Sequence, residues 1–352
     1  MRRILLSLVL LLCLSTPVYA AELPEALAEA LPREAAEAVT SGGMERGAAQ
    51  LWERAVTALR DALTRSVRGS VRLVLAVLLT GVAEGAALSL GGSAPRFARL
   101  TGVFAVTLLS AGDLSALIGL GQTTMQELSD LGKLLLPTMA AALAGCGGAL
   151  TASGWQVATL WAADALLRAV TGILLPLVYC HIALAAAGAA LPESGLDRLA
   201  DGLRKLISWG LSGAVGLFTL YLSVSNVLTG SVDRAAAKAA KAALSGTVPV
   251  VGGILSDAAE AVLGAAQSLR AVIGAAGVFG VLFLCLAPLV RLGVQFLLYK
   301  AAAFVSTLGG VKSLERLLEQ LGDAFALVFA MTAACALLLL AALLVAISMV
   351  VM

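Results

Sequence analysis

Residues 134 to 163 contain no Asp, Glu, Lys or Arg, and several other stretches of this chain are nearly as bare of charge. A run of that kind cannot coat a water-soluble globule. As a helix, roughly 20 apolar residues cross a hydrocarbon layer about 30 Å thick. Composition says the same: 60% of the 352 residues are hydrophobic and 13% charged, where ordinary soluble domains carry about 25% charged residues. A soluble enzyme is the wrong starting point. The sequence reads as an all-α, polytopic integral membrane helix bundle.

The 24 + 22 = 46 charged side chains are unevenly placed, with seven Arg and eight acids between Ala21 and Arg72. Before them, Met1-Arg2-Arg3, the apolar stretch Ile4 to Leu14 and Thr16-Pro17-Val18-Tyr19-Ala20 read as a signal peptide over 1–20, cleaved after Ala20. Its core of roughly 11 residues is short for a span. Residues 21–72 read as a short extracytoplasmic helical region. Between Met44 and Val67, apolar residues recur at helical spacing at Leu51, Trp52, Ala55, Val56, Leu59, Leu63 and Val67. The helix is either solvated on its polar face or docked against a partner. Residues 73–352 are the multi-span membrane domain.

Seven stretches there qualify as spans: Leu73–Leu90, Leu100–Gln126, Leu134–Ala163, Ala169–Leu191, Ile207–Val232, Ala271–Val290 and Ala324–Met352. Leu292–Val311, interrupted by Lys300, is an eighth candidate, and it decides on which side Met352 ends. An exported start places Arg96/Arg99, Arg168 and Arg234/Lys238/Lys241 inside, in modest agreement with the positive-inside rule. Glu127 to Lys133 and Glu193 to Lys205 are then outside loops.

Residues 231–278 do not read as an ordinary span. A basic, Ala-rich helix over Asp233–Lys241 leads into a charge-free piece broken by Pro249 and by Gly252-Gly253, and Ser256 is placed to cap a helix over Asp257–Arg270. The charge-free piece is too short to cross a bilayer. A re-entrant segment at about 242–270 fits better, since broken backbone at membrane depth must be buried in protein or line a wet cavity. An anion cradle at the glycines is the weaker reading, because Asp257 and Glu260 would repel an anion there.

Ser231-Val-Asp-Arg-Ala, Val248-Pro-Val-Val-Gly-Gly-Ile-Leu-Ser-Asp257, Val262-Leu-Gly264 and Ile273-Gly-Ala-Ala-Gly277 resemble the stage III sporulation protein AE family. Leu136-Pro-Thr-Met-Ala-Ala-Ala-Leu-Ala-Gly-Cys-Gly-Gly148 is similar to that family's earlier Pro/Gly membrane segment. The resemblance implies a mother-cell membrane protein facing the forespore. It also implies work alongside other subunits of a secretion-like transenvelope complex, with a separate ATPase, in late forespore development. It carries over no catalytic residues.

Four membrane or near-membrane polar residues stand out. Glu84, within Gly81-Val-Ala-Glu-Gly85, and Asp113 read either as lining of a conduit or proton relay, or as interhelical hydrogen-bonding groups. Asp164 reads as interfacial. His181, the single histidine, has no second ligand at i+3 or i+4, so a packed ring is favoured over a metal ligand or proton shuttle. Gly210-Leu-Ser212-Gly213 matches a short membrane-protease pattern, but the residues that would hold an oxyanion are missing and helix packing explains the stripe. Cys146, Cys180, Cys285 and Cys335 sit in apolar runs and read as packing residues. The sequence lacks a phosphate loop and a basic stripe with aromatics. No enzyme activity, cofactor, metal or nucleic-acid partner is expected. The expected partners are complex subunits and membrane lipid, with a stand-alone proton-coupled transporter as the alternative function.

Overall fold

The computed structural model describes Leu31 and residues 44–90, 92–145, 149–191, 194–245, 252–308 and 312–348. Apart from short turns, this backbone is helical. The helices are α1 (Met44–Leu90), α2 (Ala94–Gly145), α3 (Ala149–Ala169), α4 (Leu175–Ala190), α5 (Leu196–Ser245), α6 (Gly252–Leu308) and α7 (Lys312–Ser348). A π-helical turn, Val170–Leu174, joins α3 to α4, and the Leu175 N–H donates to the Val170 carbonyl across it. Pro176 follows at the head of α4, where a missing N–H is tolerated.

Six helical stretches among the described residues are long and apolar enough to cross a membrane: Gly47–Ser89, Ala94–Ala141, Trp161–Ala190, Leu196–Val224, Val272–Thr307 and Lys312–Leu344. The sequence predicts seven or eight; the expected span Leu134–Ala163 is divided between the end of α2 and α3, and expected spans run together in α2 and α6. In α2 the helix runs straight through Glu127 to Lys133. Leu128 and Leu131 are buried, while Asp130 and Lys133 sit on the outer face and pair at 2.9 Å. An amphipathic helical turn had the charge content of a loop. In α6 the expected spans Ala271–Val290 and Leu292–Val311 are one helix, continuous through Pro288 and Arg291.

α1 likewise crosses the expected boundary at 72/73 without a break. Along it Ala58, Ala62, Leu73 and Val77 are buried, whereas Trp52, Val56, Leu59, Leu63 and Val67, on the face expected to be solvated or to dock a partner, are exposed. Small residues admit close approach of the neighbouring helices, here α6 and α2. α1 and α2 run antiparallel about a turn at Gly92, whose φ of 63° suits glycine.

α6 and α7 pack together most extensively and form the centre. Around them lie two apolar clusters, one including Ile118, Val178, Tyr299 and Phe325, the other including Leu135, Met139, Phe283 and Leu343. Large apolar side chains also point outward, with Leu108 74% and Trp209 77% exposed. Soluble monomers avoid apolar surface on that scale. This is a multi-pass helical membrane protein.

The signal peptide at 1–20 and Pro249 lie outside the described residues. Gly252, Gly253, Ser256 and Asp257 fall in the first turns of α6, whose backbone is helical from Gly252 onward. Ser256 therefore does not cap a helix beginning at Asp257, because a cap needs non-helical backbone. The flanks of the expected re-entrant segment belong to α5, helical to Ser245, and to α6.

Candidate functional site

The first three turns of α7 carry Lys312, Glu315, Arg316, Glu319, Gln320 and Asp323 before the uninterrupted apolar run begins. Arg316, Gln320 and Asp323 share one helical face, and that face meets α4, α5 and α6. Asp323 is the hub. It is 3% exposed, yet both carboxylate oxygens are matched: Lys300 Nζ lies 3.0 Å from Oδ1 and Arg204 Nη1 lies 2.8 Å from Oδ2. Lys300 also reaches Glu319 at 3.3 Å. A carboxylate buried this deeply requires such pairing. The three charges tie α5, α6 and α7 into one node.

His181 of α4 plugs the neighbouring gap. It is fully buried, with Nδ1 3.1 Å from the Ala200 carbonyl of α5 and Nε2 3.1 Å from the Gln320 carbonyl of α7. Both partners are acceptors. A neutral ring, with its single N–H, satisfies one of them, while the doubly protonated ring satisfies both. The doubly protonated ring ties α4 to both α5 and α7, and the neutral ring ties it to one of them.

Glu84 joins the same end of the bundle. Arg99 donates to its Oε1 through Nη2 at 2.6 Å and Nε at 3.0 Å, pinning α1 to α2. One turn of α5 and the start of α7 complete the group, with Arg316 Nη1 3.3 Å from Asp197 Oδ2. The Glu84 and Asp197 pairs border one cavity of about 330 Å³. A larger cavity, about 960 Å³, opens between the starts of α5 and α7 and is lined by Arg198, Asp201, Arg204, Arg316, Gln320 and Asp323 among others. Positive and negative groups are interleaved around it. The result is a charged vestibule set into one end of an apolar bundle.

The other expected residues lie elsewhere. Asp113 sits on α2, deeper along the bundle, and accepts a hydrogen bond from Gln295 Nε2 of α6 at 3.2 Å. Asp164 pairs with Arg168 at 2.8 Å one turn later on an exposed surface. So the fold brings Glu84 and His181 to the charged end and leaves Asp113 and Asp164 apart. Sequence reasoning missed Asp323, Arg204 and Gln320. Asp323 stands one residue before the expected span Ala324–Met352 and so falls outside it. Its best signal was Lys300, a cation embedded in an apolar stretch that needs an acid to meet it.

A family model described as Stage III sporulation protein AE matches residues 32–350. The Bacillus subtilis (strain 168) protein named Stage III sporulation protein AE is 24% identical over 204 residues, which is 58% of this chain. The chain spans about half of that relative's length, 51%. No solved structure matches. Because the family match runs from the charged N-terminal segment through all six apolar helices, the chain belongs to the stage III sporulation protein AE family and is a sporulation protein.

Proposed function

We propose that the protein is a polytopic membrane subunit of a sporulation-specific transenvelope complex between mother cell and forespore. It contributes a secretion-like channel needed for late forespore development and sits in the mother-cell membrane facing the forespore. The observation that carries this reading is the charged vestibule. A cavity of about 960 Å³, floored by the buried Asp323 node, is a polar entry into an otherwise apolar bundle, and intramembrane charge held toward a wet cavity marks a conduction or gating element. The protein is not an enzyme in this reading, and the energy comes from a separate ATPase among its partners.

The connection between α5 and α6 supplies the second element. α5 ends at Ser245 and α6 begins at Gly252, and we propose that the segment at about 242–270 is a re-entrant tip that dips into the membrane, shielded by neighbouring protein. Single cysteines at Ser245, Leu255, Ala265 and Val305, probed with membrane-impermeant label, test this. Protection at Leu255 and Ala265 supports the tip; free labelling of both from one face refutes it. For the function as a whole, a deletion strain should arrest forespores after engulfment, and detergent pull-down should recover other complex subunits. Normal spore yield in that strain removes the proposal.

The alternative, a stand-alone proton-coupled transporter, draws on Asp113, an acid between α2 and α6, and on the π-helical turn at Val170–Leu174 within a spanning helix. Solute uptake by the reconstituted protein alone, lost in Asp113→Asn, would favour it.

A further inference from the structure

α6 and α7 fix the depth at which the bundle meets hydrocarbon. α7 carries no charge for 25 residues from Ala324 to Ser348, about 37 Å of helix, and α6 carries none from Ala271 to Val290. The two runs lie side by side: a Cβ at Gly277 would stand 3.0 Å from Leu343, and one at Gly293 3.7 Å from Phe329. α2 is pinned to the same stretch at two places. A Cβ at Gly121 would press on Val328 and Thr332, and one at Gly132 would stand 3.2 Å from Leu339. Residues 121–132 of α2 therefore share the depth of the apolar run of α7.

Yet this part of α2 is charged on its outside. Glu127, Asp130 and Lys133 are exposed, and the paired Asp130 and Lys133 side chains keep 74% and 57% of their surface open. Leu339 stands 16 residues beyond Asp323, about 24 Å, and nine before Ser348, about 14 Å. A carboxylate at that level reaches neither end. α3 repeats the pattern: Asp164 lines one cavity with Lys133, Cys335 and Leu339, and its partner Arg168 is exposed. Charges at membrane depth are costly against lipid and turn to protein or to water. The α2–α3 face therefore has a cover other than lipid.

We propose that a second copy of this chain covers the α2–α3 face within the membrane, and that it does so with its α1. From Glu127 to Arg168 the chain carries three acids and two cations, and Glu127 makes no ion pair among the described residues. α1 has the opposite surplus, five Arg against two acids from Glu53 to Arg72. Arg54 lies over the Phe283 ring at 5.5 Å, within the charge-free run of α6. Arg60, six residues on, is exposed and makes no ion pair among the described residues. The two faces are thus opposite in sign and overlap in depth. Because they are different patches of one chain, their contact runs head to tail and repeats from copy to copy, the arrangement that builds rings. The inference rests on depth and charge, and is independent of whether the complex conducts.

The test uses the full-length chain, expressed by itself in a bacterial membrane as two differently tagged copies. A benzophenone amino acid replaces Gln126 or Glu127 on α2 and, as the control, Leu217, an exposed residue of α5. Illumination should give an adduct of twice the chain mass carrying both tags from either α2 position, at least tenfold more than from Leu217. Peptide mapping should place the attachment within residues 53–72. Arg60→Glu should lower the adduct from Gln126 at least tenfold, and Arg60→Glu combined with Glu127→Arg should restore it. If Arg60→Glu does not fold, the mapped attachment decides. Adducts to lipid alone, to the chain's own residues 21–43 or to an unrelated protein overturn the proposal, as does an adduct that Arg60→Glu leaves undiminished. In sealed vesicles, labelling of Gln126→Cys by a water-soluble maleimide above that of the parent protein would put this face outside the hydrocarbon and overturn it too.

Discussion

Lys300 and Asp323 face each other across the α6–α7 contact at 3.0 Å, and the acid is 3% exposed while the lysine side chain keeps 32%. The asymmetry tells which partner depends on the other. Lys300 can turn to Glu319 or to water; Asp323 has nowhere to go except Lys300 and Arg204. Asp323→Ala leaves Lys300 and Arg204 repelling one another but free to turn to Glu319 and water, so its cost should stay below the ~3–5 kcal/mol of stranding a buried charge. Lys300→Met should cost clearly less, since Arg204 remains. Unfolding of the purified protein in mixed detergent micelles measures both. Equal midpoints for Asp323→Ala and wild type would show that the node is not structural.

Gly188 of α4 lies directly beneath Asp197. A Cβ at that position would collide with the Asp197 carboxylate and press on its backbone nitrogen. Gly188→Ala is thus expected to push Asp197 off Arg316 and to destabilise by about 1–3 kcal/mol, as overpacking does. In Gly188→Ala combined with Asp197→Ala the clash with the side chain disappears. A double-mutant cycle should show a coupling of at least about 0.5 kcal/mol, and strict additivity would mean the helices part to make room.

For Glu84 the expected effects are smaller. Arg99 is 36% exposed, so solvent screens the pair, and Glu84→Gln should cost about 1 kcal/mol or less. Charge reversal is more telling. Glu84→Arg alone places two cations together at the α1–α2 hairpin; adding Arg99→Glu restores opposite charges. Spore yield in complementation should fall in the single reversal and recover in the double. Loss of yield in both would assign Glu84 a role beyond holding the hairpin.

His181→Phe retains a ring of similar size and removes both nitrogens. The Ala200 and Gln320 carbonyls then lose a partner in a buried site, at a cost of about 1–3 kcal/mol. Disulfide trapping between cysteines introduced on α4 and α7 should report a looser junction in the variant. Unchanged trapping rates and an unchanged midpoint would reduce the histidine to filler.

The apolar architecture was legible because its signal is additive: long charge-free runs announce helices whatever their neighbours do. Where charges sat inside helices, the same counting failed. Glu127 to Lys133 look like a loop until one sees that Leu128 and Leu131 point inward between them. Glu84 and Asp113 stand out in the sequence as acids within apolar runs, but their partners, Arg99 and Gln295, come from a neighbouring helix in one case and from 182 residues away in the other. Asp323 was overlooked for the same reason. Its importance lies in Arg204 and Lys300, and nothing in the spacing of those three residues along the chain says that α5, α6 and α7 meet there.

The wide turn at Val170–Leu174 carries one residue more than an α-helix would. Each extra residue rotates everything beyond it by about 100° about the helix axis. The aim of the His181 imidazole at two carbonyls is thereby set by a surplus residue two turns upstream, in a stretch with no polar side chain touching the ring. Deleting Gly172 would swing that ring toward another side of the helix while every amino acid around the clamp stayed the same. In this protein a single insertion can act as the sighting adjustment for a distant side chain.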